Sequence, residues 1–371
     1  VIVQRPTLER RVLGSLDAGR IPVLLGGCGS GRTSLLLRLE EQVGRTRAQY
    51  LDLSAAATTP ERCLQAVVAA NRLTPQPASP PAPASSRAAF DGLLSLFDHS
   101  AAQAPGPVTF LIDEFLDIRT FENFPGLRNV PRELIARLAA SPARFVLASR
   151  FIARTHRLLR DAPARFEVIH VPPLDEPEVR QLALRSMAER GEDAAHVLAA
   201  SIGALSAGRA AYATILLDGM AAIGPSADPV ATMAALFAPD GRLTARCRES
   251  YELRLHRARG YGALKAILGI LADTEPLTLT EISQRLRRTP GSTKDYLSWL
   301  EDVDLITARS KRYTLDDPVV RLYVRLYGRP VPPTDSDIVR EVHSFAQQRI
   351  LPYLGAPVAV ERRASGIVEI D

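Results

Sequence analysis

Lysine is close to absent from this chain. Of 46 basic residues only Lys265, Lys294 and Lys311 are lysine, and the rest are arginine, a skew that together with the alanine excess points to a GC-rich coding sequence. Cysteine is as scarce: Cys28, Cys63 and Cys247 lie far apart and fit no metal-ligand spacing. A disulfide framework is therefore excluded, and a reducing compartment, the cytoplasm, is expected. No charged-then-apolar leader pattern is found. The longest weakly charged region, Ala210 to Pro239, is broken by Asp218, Gly224, Pro225, Asp228 and Pro229, so no membrane segment is expected. His156, His170 and His196 are scattered and form no triad or metal pattern, and no nuclease or protease constellation or internal repeat is visible. What is present is 46% hydrophobic residues over 371 positions, enough for two or three domains with real cores. The net charge of +5 permits nucleic-acid contact without requiring it.

The chain is organised around Ile21 to Leu37. An apolar run, Ile21, Val23, Leu24 and Leu25, reads as a buried strand; Gly26, Gly27, Gly29 and Gly31 make a loop; the residues from Thr33 onward start a helix. The pattern Gly26-x-x-x-x-Gly31-Arg32-Thr33 matches the phosphate-binding loop GxxxxGK[ST] at every position but one, where Arg32 replaces lysine. Glycines admit positive φ and let backbone N–H groups close on phosphate oxygens, and the following helix adds its positive end. Gly26, Gly27, Cys28, Gly29, Ser30, Gly31, Arg32, Thr33 and Ser34 are thus the candidate nucleotide cradle, with the Thr33 hydroxyl directed to Mg²⁺. Arg32 is a planar fork rather than a point charge, so binding should survive the exchange better than hydrolysis. The arginine-rich composition weakens any inference of designed loss of activity.

Downstream, Gln49 to Ser54 reads as a strand, Thr59 to Asn71 as a helix capped by Thr59 with Pro60 in its first turn, and Leu73 to Ser86 as a mobile surface loop too rich in Pro, Ala and Ser to pack. A helix from Ala88 leads to the apolar run Val108 to Ile112, which ends in Asp113-Glu114 at the edge where α/β sheets place ligands. In P-loop ATPases, which the preceding loop resembles, a pair so placed implies Asp113 as the holder of Mg²⁺ and Glu114 as the group that orients and deprotonates the attacking water; a plain strand-to-loop boundary is the alternative. Arg144 to Arg150 and Phe166 to Val171 are two more strands. The alternation predicts an α/β fold with a parallel, doubly wound sheet.

The loop, Asp113-Glu114, Ser149-Arg150 and a helical stretch followed by a small helical domain together resemble the AAA+ and STAND ATPases, in particular the archaeal-type ATPase and origin-recognition-like branches, over roughly residues 1–330. The resemblance implies a P-loop core over 1–173, an α-helical lid over 174–257, a winged-helix domain over 258–330 and a C-terminal helix and tail over 331–371. ATP or ADP with Mg²⁺ is the implied cofactor, and a homo-oligomer the implied ATP-bound state. Arg5-Pro-Thr-Leu-Glu9 is similar to a box that touches the adenine, although Gln4 stands where a glycine is usual; a surface-charged amphipathic helix is the alternative. Arg150 corresponds to an arginine that senses the γ-phosphate, or is an arginine solvated at a strand end. Arg165 corresponds to a finger offered to a neighbouring subunit, with Arg154, Arg157 and Arg160 in competition. Arg209, after Gly208, corresponds to the second sensor, here without the usual proline; a solvated helix arginine is the alternative.

Tyr261 to Leu271, Thr278 to Leu286 and Ser292 to Leu300 read as three helices. Asp304 to Ala308 and Arg312 to Leu315 follow as a two-stranded wing, and Asp317-Pro318 leads into a closing helix. Lys294, Arg309, Lys311 and Arg312 are the candidate contacts to duplex DNA. Asp295, Glu301 and Asp302 on the third helix keep a protein-docking role open. The expected function is a slowly hydrolysing, nucleotide-dependent switch or oligomerising factor on DNA. The alternatives are a non-hydrolysing scaffold and a STAND signalling module whose winged helix docks a protein partner.

Overall fold

The structure, a computed structural model, describes residues 3–73, 83–186, 191–255, 260–353, 360–362 and 368–370. Most of the expected surface loop between Leu73 and Ser86, and part of the tail, lie outside the described residues. The chain divides into two compact units, one built from residues 4–27 and 31–172 and the other from residues 28–30 and the chain from Pro173 on.

The first unit opens with α1 (Pro6–Asp17), whose Val12 and Leu16 are buried, and then runs β1 (Ile21–Leu25), α2 (Arg32–Val43) and β2 (Ala48–Asp52). Two helices follow, α3 (Leu53–Ala56) and α4 (Pro60–Ala70), the second capped by the Thr59 side chain accepting from Arg62 N–H. After α5 (Ser86–Gln103) come β3 (Thr109–Asp113), 3-10 turns over Phe115–Asn123, α6 (Val130–Ala140), β4 (Arg144–Ser149), α7 (Ile152–Leu159) and β5 (Phe166–His170).

The five strands form one sheet in the order β2-β3-β4-β1-β5, and every pair is parallel. The doubly wound α/β expectation therefore holds. All five residues of β1 and of β3 are buried, as both faces of a parallel sheet must be when crossover helices cover them. One face packs Leu24, Leu111, Val146 and Ile169 against Leu35, Leu36 and Leu39 of α2. The other carries Phe110 and Phe145, with ring centroids 5.9 Å apart, against Phe97 of α5 at 4.7 and 5.5 Å. Register aligns Leu25 with Ser149 and Asp52 with Asp113, so the carboxyl ends of β1, β2, β3 and β4 share one edge. The glycine loop, Asp113-Glu114 and Arg150 all leave the sheet there.

The second unit continues through α8 (Glu176–Ser186), α9 (Gly191–Ser206), α10 (Ala210–Ile223), α11 (Pro229–Leu236) and α12 (Arg242–Leu255). Gly208, at φ +66°, turns the chain into α10 where a Cβ would lie 2.8 Å from the Pro173 Cβ. Next come α13 (Tyr261–Asp273), β6 (Leu277–Thr278), α14 (Leu279–Leu286), α15 (Pro290–Asp302), β7 (Ile306–Arg309), β8 (Arg312–Leu315) and α16 (Pro318–Tyr327). The strands pair antiparallel in the order β6-β8-β7. Thr278 and Glu281 form a capping box at the start of α14. Finally α17 (Asp335–Tyr353) packs on α9, α11 and α16, and the short strands β9 (Val360–Arg362) and β10 (Val368–Ile370) pair antiparallel.

Candidate functional site

The site is assembled where β1, β3 and β4 end. Gly29 and Gly31 adopt φ of +80° and +93°, a region that a side chain resists, and this lets the loop close into the first turn of α2. From that turn the Thr33 hydroxyl donates to Asp113 Oδ2 at 2.6 Å, across 80 residues of sequence. The Arg32 guanidinium donates to Glu114 Oε1 at 2.6 Å and, from its other terminal nitrogen, to the carbonyls of Gly26 and of Gly27, the latter at 2.9 Å. Arg32 is only 6% exposed, so this is a buried ion pair.

Two more donors converge on Glu114. The backbone N–H of Arg150 reaches its Oε2 at 3.1 Å, and the Arg150 guanidinium lies 3.6 Å from its Oε1. That guanidinium is held in turn by Asp117 Oδ2 at 2.7 Å and lies over the Phe151 ring. Glu114 itself has φ +49°, and its N–H donates to Asp113 Oδ1 at 3.0 Å.

Asp113 is almost wholly buried, and burial raises its carboxyl above the ordinary value, with the neighbouring Glu114 adding to the rise. Tyr50, from β2, donates its hydroxyl to the same Oδ2 at 3.1 Å. The Tyr50 hydroxyl is itself pushed up by burial and by Asp113, so it stays a proton donor. Hard oxygen donors, a hydroxyl beside a buried carboxylate, are the donor chemistry that Mg²⁺ takes, so Thr33 and Asp113 fit that ion.

The other expected residues fall elsewhere. Arg5 is buried, and its guanidinium donates to the Pro172 carbonyl at 2.9 Å while its N–H donates to Glu9. Arg165 precedes β5, at the amino-terminal edge of the sheet, and donates to the carbonyls of Gly19, Ala139 and Ser141 at 2.8–3.1 Å. The structure does not bring it to the loop edge. Arg209 stands immediately before α10 in the second unit, at the N-cap position but with no side-chain cap bond. There it donates to the Cys28 carbonyl at 3.0 Å and pairs with Asp316 and Asp317 at 3.1 and 3.2 Å. Asp317 also accepts from Tyr212 and caps α16.

Lys294, Arg309, Lys311 and Arg312 are all exposed. Arg309 and Arg312 face each other across the β7–β8 turn, whose two central residues, Ser310 and Lys311, both have positive φ. An open basic hollow, lined by Ser283, Gln284, Arg287, Arg288, Thr289 and Ser292, lies at the start of α15. No helix among the described residues is long and apolar enough to cross a membrane.

Sequence reasoning passed over Tyr50, Asp117 and Asp316, and read Asp317 only as the lead into the closing helix. Asp117 carried a usable signal, lying three residues after Glu114.

No protein-family profile matches the sequence, and a search of curated proteins finds no match. Among solved structures, the Walker-type ATPase of Pyrococcus abyssi is similar, with TM-score 0.65 and 17% identity over 87% of this chain and 96% of that one. The chain has the fold of a P-loop ATPase. Cdc6p from Pyrobaculum aerophilum is similar at TM-score 0.40 and 12% identity, covering 94% of this chain and 100% of that one. The RuvB Holliday junction branch migration motor of Thermotoga maritima has TM-score 0.40 and 13% identity, covering 84% and 92%. Only the first of these likenesses is close enough to carry weight, and it bears on the P-loop ATPase fold alone.

Proposed function

We propose that this chain binds ATP or ADP with Mg²⁺ through residues Gly26 to Ser34 and is a slowly hydrolysing nucleotide-dependent switch of the AAA+ or STAND type. The observation that carries the reading is the pairing of two distant motifs: Thr33 with Asp113 at 2.6 Å and Arg32 with Glu114 at 2.6 Å. Loop N–H groups and the start of α2 take the phosphates. Thr33 and Asp113 hold Mg²⁺, which supplies charge neutralisation at the phosphates. Glu114 orients and deprotonates water, and Arg150 responds to the terminal phosphate. Residues 174–257 act as a helical lid in which Arg209 reports on nucleotide, and self-association accompanies the ATP state.

Residues 258–330 are proposed as a winged helix. The order of α13, α14, α15, β7 and β8, and the four exposed cations, favour duplex DNA as its partner. The acidic α15, with Asp295, Glu301 and Asp302, favours a protein partner as the second reading.

Calorimetry with ADP and ATP, with and without Mg²⁺, tests the core of the proposal. Expected are binding in the micromolar to millimolar range, Mg²⁺ dependence lost in Asp113→Asn, and turnover lost in Glu114→Gln with binding retained. No affinity for either nucleotide at millimolar concentration would end the reading.

A further inference from the structure

Resting on the phosphate-loop reading, we infer that Arg32 is the holder of the Glu114 carboxylate, and that nucleotide phosphates must compete with Glu114 for it. The residue at the usual lysine position is then a positioning residue for the water-activating group before it is a phosphate ligand.

The geometry is specific to arginine. One terminal nitrogen of Arg32 serves the carbonyls of Gly26 and Gly27, and the other serves Glu114 Oε1. Two ends of a rigid planar fork thus tie the loop backbone to the carboxylate. A lysine ammonium is a single point on a flexible stem and lacks this fixed span. The loop is accordingly clamped on itself through the Gly26 and Gly27 carbonyls.

Glu114 is constrained from every side that is visible. Oε1 takes Arg32 and lies near the Arg150 guanidinium, while Oε2 takes the Arg150 N–H. Its backbone sits in the left-handed region, φ +49°, which is strained for a non-glycine residue and persists only where surroundings enforce it. A carboxylate can accept a proton from water only through an oxygen that faces the water. Oε1 carries Arg32 with Arg150 beside it, so that oxygen can face a water only once Arg32 leaves, whereas Oε2 accepts from the Arg150 N–H. Arriving phosphates are the natural competitor, being anions that make bidentate contacts with a guanidinium. Occupation of the site and release of Glu114 thus become one event. Asp117 keeps Arg150 in place through a separate contact, so the release falls on Arg32.

The test is a double-mutant cycle on nucleotide affinity. Binding of Mg²⁺-ADP and of a non-hydrolysable ATP analogue is measured by calorimetry for wild type, Glu114→Gln, Arg32→Ala and the double variant. Thermal unfolding of each nucleotide-free form is recorded alongside. In Glu114→Gln, Arg32 is freed from its carboxylate, and affinity should rise about tenfold, the scale of one charge-assisted hydrogen bond. In the Arg32→Ala background the same change should give about twofold or less, from lost charge repulsion alone. Nucleotide-free Arg32→Ala and Glu114→Gln should each melt lower than wild type, with the double variant little worse than either. Equal affinity gains in the two backgrounds would overturn the competition while leaving the phosphate loop intact. No binding by any of the four would overturn the phosphate-loop reading and the competition with it. Arg32→Gln replaces Arg32→Ala in the cycle if the latter does not fold.

Discussion

At the loop edge of the sheet Arg32, Asp113, Glu114 and Arg150 are each less than a tenth exposed, whereas Lys294, Arg309, Lys311 and Arg312 of the C-terminal module all lie open to solvent. Buried charge is costly unless paired, so each buried group has its partners at fixed distances: Arg32 on Glu114, Asp117 on Arg150, Thr33 and Tyr50 on Asp113. Exposed cations carry no such requirement, since water solvates them wherever they stand. The difference separates two kinds of site. The first is a network in which every substitution is felt by its neighbours, and the second is a collection of charges that act nearly one by one.

The largest expected effect comes from breaking the buried network. Arg32→Ala leaves Glu114 with a buried charge and two loop carbonyls without their donor, and should lower the stability of the nucleotide-free protein by about 3 kcal/mol in its first urea transition. A loss below about 1 kcal/mol would place this pair with the exposed charges and remove the contrast.

A pH profile sharpens the same comparison. Burial raises the Asp113 carboxyl, so the folded chain holds a proton that the unfolded chain releases from its ordinary value of 3.8 upward. The corresponding stability is complete below 3.8 and is lost as pH rises through the raised folded value. Asp113→Asn cannot titrate there. Its melting temperature relative to wild type should therefore increase as pH is raised through that window, and a constant difference would refute the assignment. Mg²⁺, by compensating the buried carboxylate, should stabilise wild type at neutral pH and do so less in acid.

The smallest effects on stability belong to the wing. Replacing Arg309, Lys311 and Arg312 by alanine should leave stability within about 0.5 kcal/mol. The same change should weaken duplex DNA binding and flatten the dependence of log K on log salt by about two to three units, read by fluorescence anisotropy. An unchanged slope would move the module to protein docking. Lys311 also sits at φ +62° in a two-residue turn that prefers glycine there. Lys311→Gly should therefore raise the stability of the hairpin by about 1 kcal/mol while lowering DNA affinity.

The elements were legible in the sequence wherever a local cause determines them. Ile21–Leu25 is an apolar run ending in glycine and is β1 to the residue, and the expected strand Arg144 to Arg150 is β4 but for its last residue. Thr59 caps its helix as expected, and of Thr278 and Thr280, between which the sequence does not choose, Thr278 is the cap of α14. The 3-10 turns over Phe115–Asn123 were not legible, because no periodic pattern marks them and their place is set by Phe115, Ile118 and Phe121 packing inward. The short strand β6 was missed for a similar reason: two residues have no pattern of their own and are ordered by pairing with β8.

Within the site, sequence alone determined that Gly26–Thr33 and Asp113-Glu114 meet at one sheet edge, because strand–loop–helix order and parallel pairing follow from local composition and chain connectivity. Only the tertiary structure decided which cation meets which anion. Arg32 turning to Glu114, Arg150 to Asp117, and Arg165 to three carbonyls at the far edge depend on where segments distant in sequence come into register. Charges have no sequence periodicity to announce their partners, and burial, which makes those partners obligatory, exists only once the core has formed.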